Sequence, residues 1–98
     1  MERGGYVYIL TNINHNVLYI GVTSNLRNRI HEHKTKIHTN GFTARYNCDI
    51  LVCLEGFNLI EEAIAREKQL KNWKRVWKID LINKLNPNWI ELDTEEFD

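Results

Sequence analysis

The sequence predicts an α+β fold: a small, mainly antiparallel three-stranded sheet flanked by helices, in the order β-β-α-β-α-α. Three observations lead there. Two short runs of β-branched, aromatic and aliphatic residues, Tyr6 to Leu10 and Val17 to Val22, flank an asparagine-rich stretch and so read as a hairpin. A third apolar run, Asp49 to Glu55, is followed by two stretches whose apolar residues recur at helical spacing. At 98 residues, 43% of them hydrophobic, the chain has material for one modest core and none for a second domain.

Taken in order, Thr11-Asn12-Ile13-Asn14-His15-Asn16 supplies the hairpin turn, since asparagine tolerates left-handed backbone. Ser24 or Asn25 caps a helix that turns Leu26 and Ile30 toward the sheet and continues with polar residues through Lys36. Gly41 to Tyr46 reads as a loop. The third strand is nearly continuous in apolar residues at Ile50, Leu51, Val52 and Leu54, and Gly56 ends it. Asn58 and Glu61 have the spacing of a capping box at the start of a helix reaching Trp73. The last helix runs from Arg75 to Leu85, with Val76, Trp77, Leu81 and Leu85 inward, and Asn86-Pro87 stops it. Trp73, Trp77 and Trp89 are expected to pack these last helices and the tail together.

Composition excludes several classes. No apolar run approaches the roughly 20 residues needed to cross a bilayer, and Met1-Glu2-Arg3-Gly4-Gly5 lacks the layout of a secretion signal. A soluble, cytoplasmic protein is expected. Cys48 and Cys53 have an odd offset along one apparent strand, so they fall on opposite faces as buried thiols without a bridge. The 13 basic and 13 acidic residues balance, but five of the acids (Glu91, Asp93, Glu95, Glu96, Asp98) crowd the last eight positions. Residues 1–90 therefore form a cationic domain, and 91–98 read as a flexible acidic tail able to compete with a polyanion. Arg66, Lys68, Lys71, Lys74, Arg75 and Lys78 gather in one helical stretch that is either a solvated face or a polyanion surface.

Glu67 carries the strongest chemical signal. It falls on the helical face defined by Ile60, Ala63, Ile64 and Leu70, and a carboxylate carried toward a core must be paired, hold a metal or border a cleft. On the first helix Arg29 and His33 are four residues apart and share a face beside Leu26 and Ile30. Tyr8 and Tyr19 lie on the hairpin strands, where tyrosine also suits plain packing, and Gly21 within a strand marks a bulge or a close approach.

Together these residues resemble the GIY-YIG nuclease superfamily. Tyr6-Val7-Tyr8 stands at the first signature tripeptide, with tyrosine in place of its glycine, and Tyr19-Ile20-Gly21 matches the second. Arg29 stands ten residues after Tyr19 at the position of the family's essential arginine, His33 follows by four, and Glu67 occupies the place of the metal-binding glutamate. Ala65 to Lys71, Trp73-Lys74-Arg75, Trp77-Lys78 and Asn86-Pro87-Asn88-Trp89 look like the small stand-alone bacterial branch of the superfamily, so the likeness covers roughly residues 6–90.

The resemblance implies a metal-dependent endonuclease that hydrolyses DNA to 5′-phosphate and 3′-hydroxyl ends, with structure-dependent or weak sequence selectivity. Catalytic residues would be Tyr8, Tyr19, Arg29, His33 and Glu67, converging on one open concave surface, with Glu67 holding a single Mg²⁺ or Mn²⁺. Arg29 offers a planar fork of donors to a phosphate. A tyrosine acting with His33 would activate the water, although a phenol at its reference pKa of about 10 is a poor base at neutral pH. Thr23, Asn25, Arg27, the segment Phe42, Thr43 to Arg45 and Tyr46, and Lys71 are candidates to contact the nucleic acid, DNA or RNA. Two other readings remain at this level: a nucleic-acid-binding module of the same fold, brought to its substrate by a protein partner, and an interaction domain in which Glu67 simply pairs with Arg29.

Overall fold

A computed structural model describes residues 4–36 and 41–95; the chain start at Met1 to Arg3 and the acidic positions Glu96 and Asp98 lie outside the described residues. The expected sheet is present. Strands β1 (Gly5–Thr11), β2 (Leu18–Thr23) and β3 (Ile50–Phe57) form an antiparallel sheet in the spatial order β2-β1-β3, with Tyr8 opposite Gly21 on one side and Leu54 on the other. The helices are α1 (Leu26–Thr35), α2 (Phe42–Arg45), α3 (Ile60–Lys71) and α4 (Arg75–Leu85).

Strand alternation sorts the core onto two faces. Val7, Ile9 and Ile20 point toward α3 and α4, where they meet Ala63, Leu70 and Ile82; Tyr8 and Leu10 point the other way onto Leu26 and Ile30 of α1. Cys53 and Cys48 are buried on these opposite faces, but Cys48 precedes β3 instead of lying on it, so strand alternation is not the reason.

Local chemistry explains most boundaries. The Asn12 side-chain oxygen accepts from the Asn16 and Val17 amides at 3.0 and 3.2 Å and shapes the hairpin turn, but the left-handed residue there is His15 (φ 56°), not an asparagine. Asn25 caps α1 by accepting from the Asn28 amide at 3.2 Å, and left-handed Lys36 closes it.

Several expectations are corrected. β3 passes through Gly56 to Phe57 instead of ending at the glycine, because Gly56 is held in register opposite Tyr6. Between Ile9 and Leu10 the register with β3 slips, since Cys53 pairs with Ile9 and Leu51 with Leu10, leaving Val52 as an extra residue in a bulge. The Val52 carbonyl accepts instead from the Asn86 side chain at 3.0 Å, which ties the end of α4 to the sheet. The α3 cap is Leu59, one residue later than expected, and Glu62 rather than Glu61 accepts from its amide at 3.3 Å.

Burial also departs from the simple stripes. Ile64 is 38% exposed, so the packed face of α3 is Ile60, Ala63, Glu67 and Leu70. On α4 the inward residues are Ile82 and Leu81, whereas Val76, Trp77 and Leu85 are exposed. Apolar residues surround this helix, and its single sheet-facing side is chosen by packing rather than by pattern. Trp73 meets Trp77 edge-on at 6.1 Å, while Trp89 stacks on His15 of the hairpin turn at 4.9 Å.

The acidic tail expected to be flexible is docked over its described part. The Leu92 side chain packs on the α1 face of the core and its amide donates to the Leu51 carbonyl at 2.8 Å, covering the outer edge of β3. Glu91 pairs with Lys34, and Glu95 with Arg27 at 3.3 Å, so the tail lies along α1 rather than over the basic stretch of α3 and α4. No helix among the described residues is long and apolar enough to cross a membrane.

Candidate active site

Of the residues singled out from the sequence, Tyr8, Tyr19, Arg29 and His33 come together beside β2. Tyr8 points from the central strand across β2, and its ring lies over Gly21, where an added Cβ would come within 2.3 Å of Cζ and the hydroxyl oxygen. Only glycine permits that crossing. The Tyr8 hydroxyl is thereby carried to the foot of α1, where it is hydrogen-bonded to His33 Nε2 at 3.0 Å and lies in hydrogen-bonding reach of the Arg29 guanidinium. Tyr19 lies on the same face of β2, and its ring meets that of His33 edge-on at 5.7 Å.

The segment read as a loop at Gly41 to Tyr46 winds one helical turn, α2, closed by the Tyr46 amide donating to the Phe42 carbonyl at 3.0 Å. Its cause is tertiary. Phe42 stacks between Tyr19, at 5.9 Å, and Tyr46, at 4.7 Å, and Thr43 Oγ1 is hydrogen-bonded to His33 Nδ1 at 2.9 Å. Tyr19, Arg29, Glu32, His33, Phe42 and Thr43 thus line an open groove of about 420 Å³.

Glu67 lies on α3, which packs on the other face of the sheet. α3 packs across β1 and β2, and the charge of Glu67 is felt at the Tyr8 hydroxyl. The expectation of one concave surface is therefore modified: Tyr19, Arg29 and His33 line the groove, Tyr8 is fully buried beneath it, and Glu67 lies outside its lining. The Glu67 side chain is 15% exposed and pairs with Lys71, Nζ to Oε2 at 3.1 Å, not with Arg29. Arg29 pairs through Nε with Glu32 at 3.2 Å, which leaves its terminal N–H groups for other acceptors. Glu32 was missed from the sequence, although its place three residues after Arg29 on a helix signals the contact.

Electrostatics favour a neutral Tyr8. Burial pushes its phenol up to about 12, the neighbouring Tyr19 adds to the rise, hydrogen bonding and charge from Arg29 oppose it, and Glu67 adds a further rise.

The nucleic-acid candidates divide. Thr23 is buried, and its hydroxyl accepts from the Asn25 amide at 3.0 Å, while Asn25 is spent on the α1 cap. Both therefore shape the start of α1, Thr23 from a buried position and Asn25 from an exposed one. Phe42 and Arg45 are exposed; Arg27 is exposed but held by Glu95, and Lys71 is engaged by Glu67. The basic stretch is likewise partly spent: Arg66 grips Glu55 through two bonds of 2.8 and 3.1 Å and lies 5.0 Å over Trp73, Lys74 lies 5.6 Å over Trp77, and Arg75 donates to the Asn16 carbonyl.

Among the described residues no three His, Cys, Asp or Glu side chains gather into a metal cage. Glu67 nevertheless suits a hard divalent ion such as Mg²⁺, which takes one or two carboxylates and completes its shell with water and phosphate oxygens. The Lys71 ammonium lies against the Glu67 carboxylate and balances a mostly buried charge.

Comparison with known proteins places the chain in a family. Residues 4–80 match the GIY-YIG catalytic domain. A UPF0213 protein of Syntrophus aciditrophicus (strain SB) is 35% identical over 82 residues, covering 84% of this chain and 92% of the relative. The solution NMR structure of a UPF0213 protein from Bacillus halodurans superposes with a TM-score of 0.58 over 97% of this chain and 99% of the other, and at 24% identity it speaks for the fold. With the domain match spanning most of the sequence and the relative matching along 84% of it, the chain belongs to the GIY-YIG family, among the small single-domain UPF0213 proteins.

Proposed function

We propose that the protein is an endonuclease that hydrolyses phosphodiester bonds of DNA, in which Arg29 binds the scissile phosphate and Tyr8 with His33 takes the proton of the attacking water. The observation that carries this reading is the 3.0 Å contact between the Tyr8 hydroxyl and His33 Nε2, made beside a guanidinium at the wall of an open groove. An isolated phenol whose proton is held up to about pH 12 is a poor base. A phenol in contact with an imidazole behaves differently. Its oxygen accepts a proton from water while its own proton passes to Nε2, so no free phenolate forms.

Arg29 is half exposed and retains donors beyond the one used by Glu32, which fits it to grip two phosphate oxygens. The Tyr8 oxygen lies buried beneath the groove, so substrate binding has to admit the water to it. The hydroxide bonds to phosphorus, the bond from phosphorus to O3′ breaks, and the departing oxygen is protonated by solvent. This leaves 5′-phosphate and 3′-hydroxyl ends. Glu67 would hold Mg²⁺ or Mn²⁺, which when bound supplies neutralisation of charge building on the phosphate and the leaving oxygen. Tyr19, on the groove wall, orients the water. Cleavage is structure-dependent or weakly selective.

The test is incubation of nicked, branched and single-stranded DNA with Mg²⁺ or Mn²⁺. The wild-type protein is expected to cleave at least one substrate. Tyr8→Phe, Arg29→Ala and Glu67→Gln each lose about 10²-fold or more, the range for removing an acid–base or charge-stabilising group. Cleavage that persists in chelator, or variants that cut like wild type, would overturn the proposal.

A further inference from the structure

Thr43 meets the imidazole on the side away from Tyr8. Its Oγ1 is 2.9 Å from His33 Nδ1 while Nε2 faces the Tyr8 hydroxyl at 3.0 Å, so the ring is spanned by two hydroxyls from different parts of the chain. The contact joins α2 to α1 over ten residues, and the turn that presents Thr43 is fixed independently, by the Cys48 amide donating to the Thr43 carbonyl at 2.8 Å and by the stack of Phe42 on Tyr19.

A neutral imidazole carries one proton, and which nitrogen bears it is set by the partner of each. Among the described residues the Tyr8 hydroxyl has His33 Nε2 as its hydrogen-bond partner, so the phenol's single proton is directed there. Burial keeps that proton on Tyr8 at neutral pH. Nε2 is then the acceptor, and the ring proton must sit on Nδ1.

We propose that Thr43 is a positioning residue that holds His33 as the Nδ1–H tautomer, by accepting that proton's hydrogen bond, and so keeps Nε2 open to the proton of Tyr8. The catalytic consequence rests on the nuclease reading above; the tautomer does not. The opposite arrangement, with Thr43 donating to Nδ1 and Nε2–H donating to Tyr8, would fill the nitrogen that has to receive the proton.

The experiment uses histidine-labelled full-length protein at neutral pH. Long-range proton–nitrogen correlation spectra read the His33 tautomer, and His33→Gln identifies its signals among the four histidines. Thr43→Val keeps the side-chain shape and removes the hydroxyl; Thr43→Ser restores it. Wild type and Thr43→Ser are expected to show Nδ1–H, and Thr43→Val a shift toward Nε2–H with an unchanged far-ultraviolet spectrum. Cleavage by Thr43→Val should fall about 10- to 100-fold in kcat with little change in KM, the scale seen when a partner orienting a functional imidazole is removed. A wild-type ring in the Nε2–H form, or a Thr43→Val ring unchanged from wild type, overturns the proposal. A loss confined to KM overturns it too, because it would make Thr43 a substrate contact. If wild type cleaves no DNA, the nuclease reading fails while the spectra still decide the role of Thr43.

Discussion

Gly21→Ala is the sharpest single probe of the site. The added Cβ would lie 2.3 Å from Tyr8 Cζ and Oη and 2.8 Å from Cε2, against 3.4 Å or more in an ordinary contact. The ring must therefore retreat by about 1 Å, and Tyr8 is fully buried, with little free space to receive it. Overpacking of this kind costs about 1–3 kcal/mol. In a domain of this size, that lowers Tm by roughly 5–20 °C. The same retreat lengthens the 3.0 Å bond to His33 to about 4 Å, beyond hydrogen-bonding range. Cleavage should then fall about 10²-fold or more, as when an acid–base partner is lost.

The assays are thermal melting by circular dichroism, and DNA cleavage well below the melting range. Tyr8→Leu supplies the control, because it removes the atoms that the new methyl would strike. In that background Gly21→Ala should cost less than about 0.5 kcal/mol. A Gly21→Ala protein that melts and cuts like wild type would refute the reasoning, and so would an equal loss of stability in both backgrounds.

Two further predictions concern stability. The Tyr8 phenol, raised to about 12, keeps its proton longer in the folded chain than the ordinary phenol pKa of about 10 allows in the unfolded one. Its stabilising contribution is whole below about pH 10 and is lost as pH rises toward 12. An absorbance titration of the four tyrosines should show one late phase that Tyr8→Phe lacks; four phases near pH 10 would contradict the burial argument. Arg66→Ala removes a two-bond grip on Glu55, in which both side chains are 22% exposed, together with a contact over Trp73. A loss of about 1–2 kcal/mol is expected in urea unfolding, more than an exposed pair gives, and a loss under 0.5 kcal/mol would count against it.

Much of the architecture follows from short-range chemistry and was legible. Alternation in Tyr6 to Leu10 and Val17 to Val22 makes the hairpin, an asparagine side chain caps α1, and Asn86-Pro87 halts α4. That Arg29 and His33 share a face of α1, and that Glu67 falls on the packed face of α3, was legible as well, because a helix converts spacing into a shared face without help from the rest of the chain; Tyr8 and Tyr19 joined them through the family resemblance. Spacing along one element is silent about which other element it faces. It could not reveal that Glu67 and Arg29 do not pair, or that α4 buries Ile82 and leaves Val76 and Trp77 exposed.

Tertiary structure alone decided the bulge at Val52, the helical turn at Phe42–Arg45 and the file of hydroxyl, imidazole and hydroxyl from Tyr8 through His33 to Thr43. The Tyr8–His33 contact closes over 25 residues and depends on a ring passing over a glycine of the neighbouring strand. Local propensity acts over a few residues. Contacts at that range are chosen only when the whole core packs, since space, not preference, determines where a buried ring can lie.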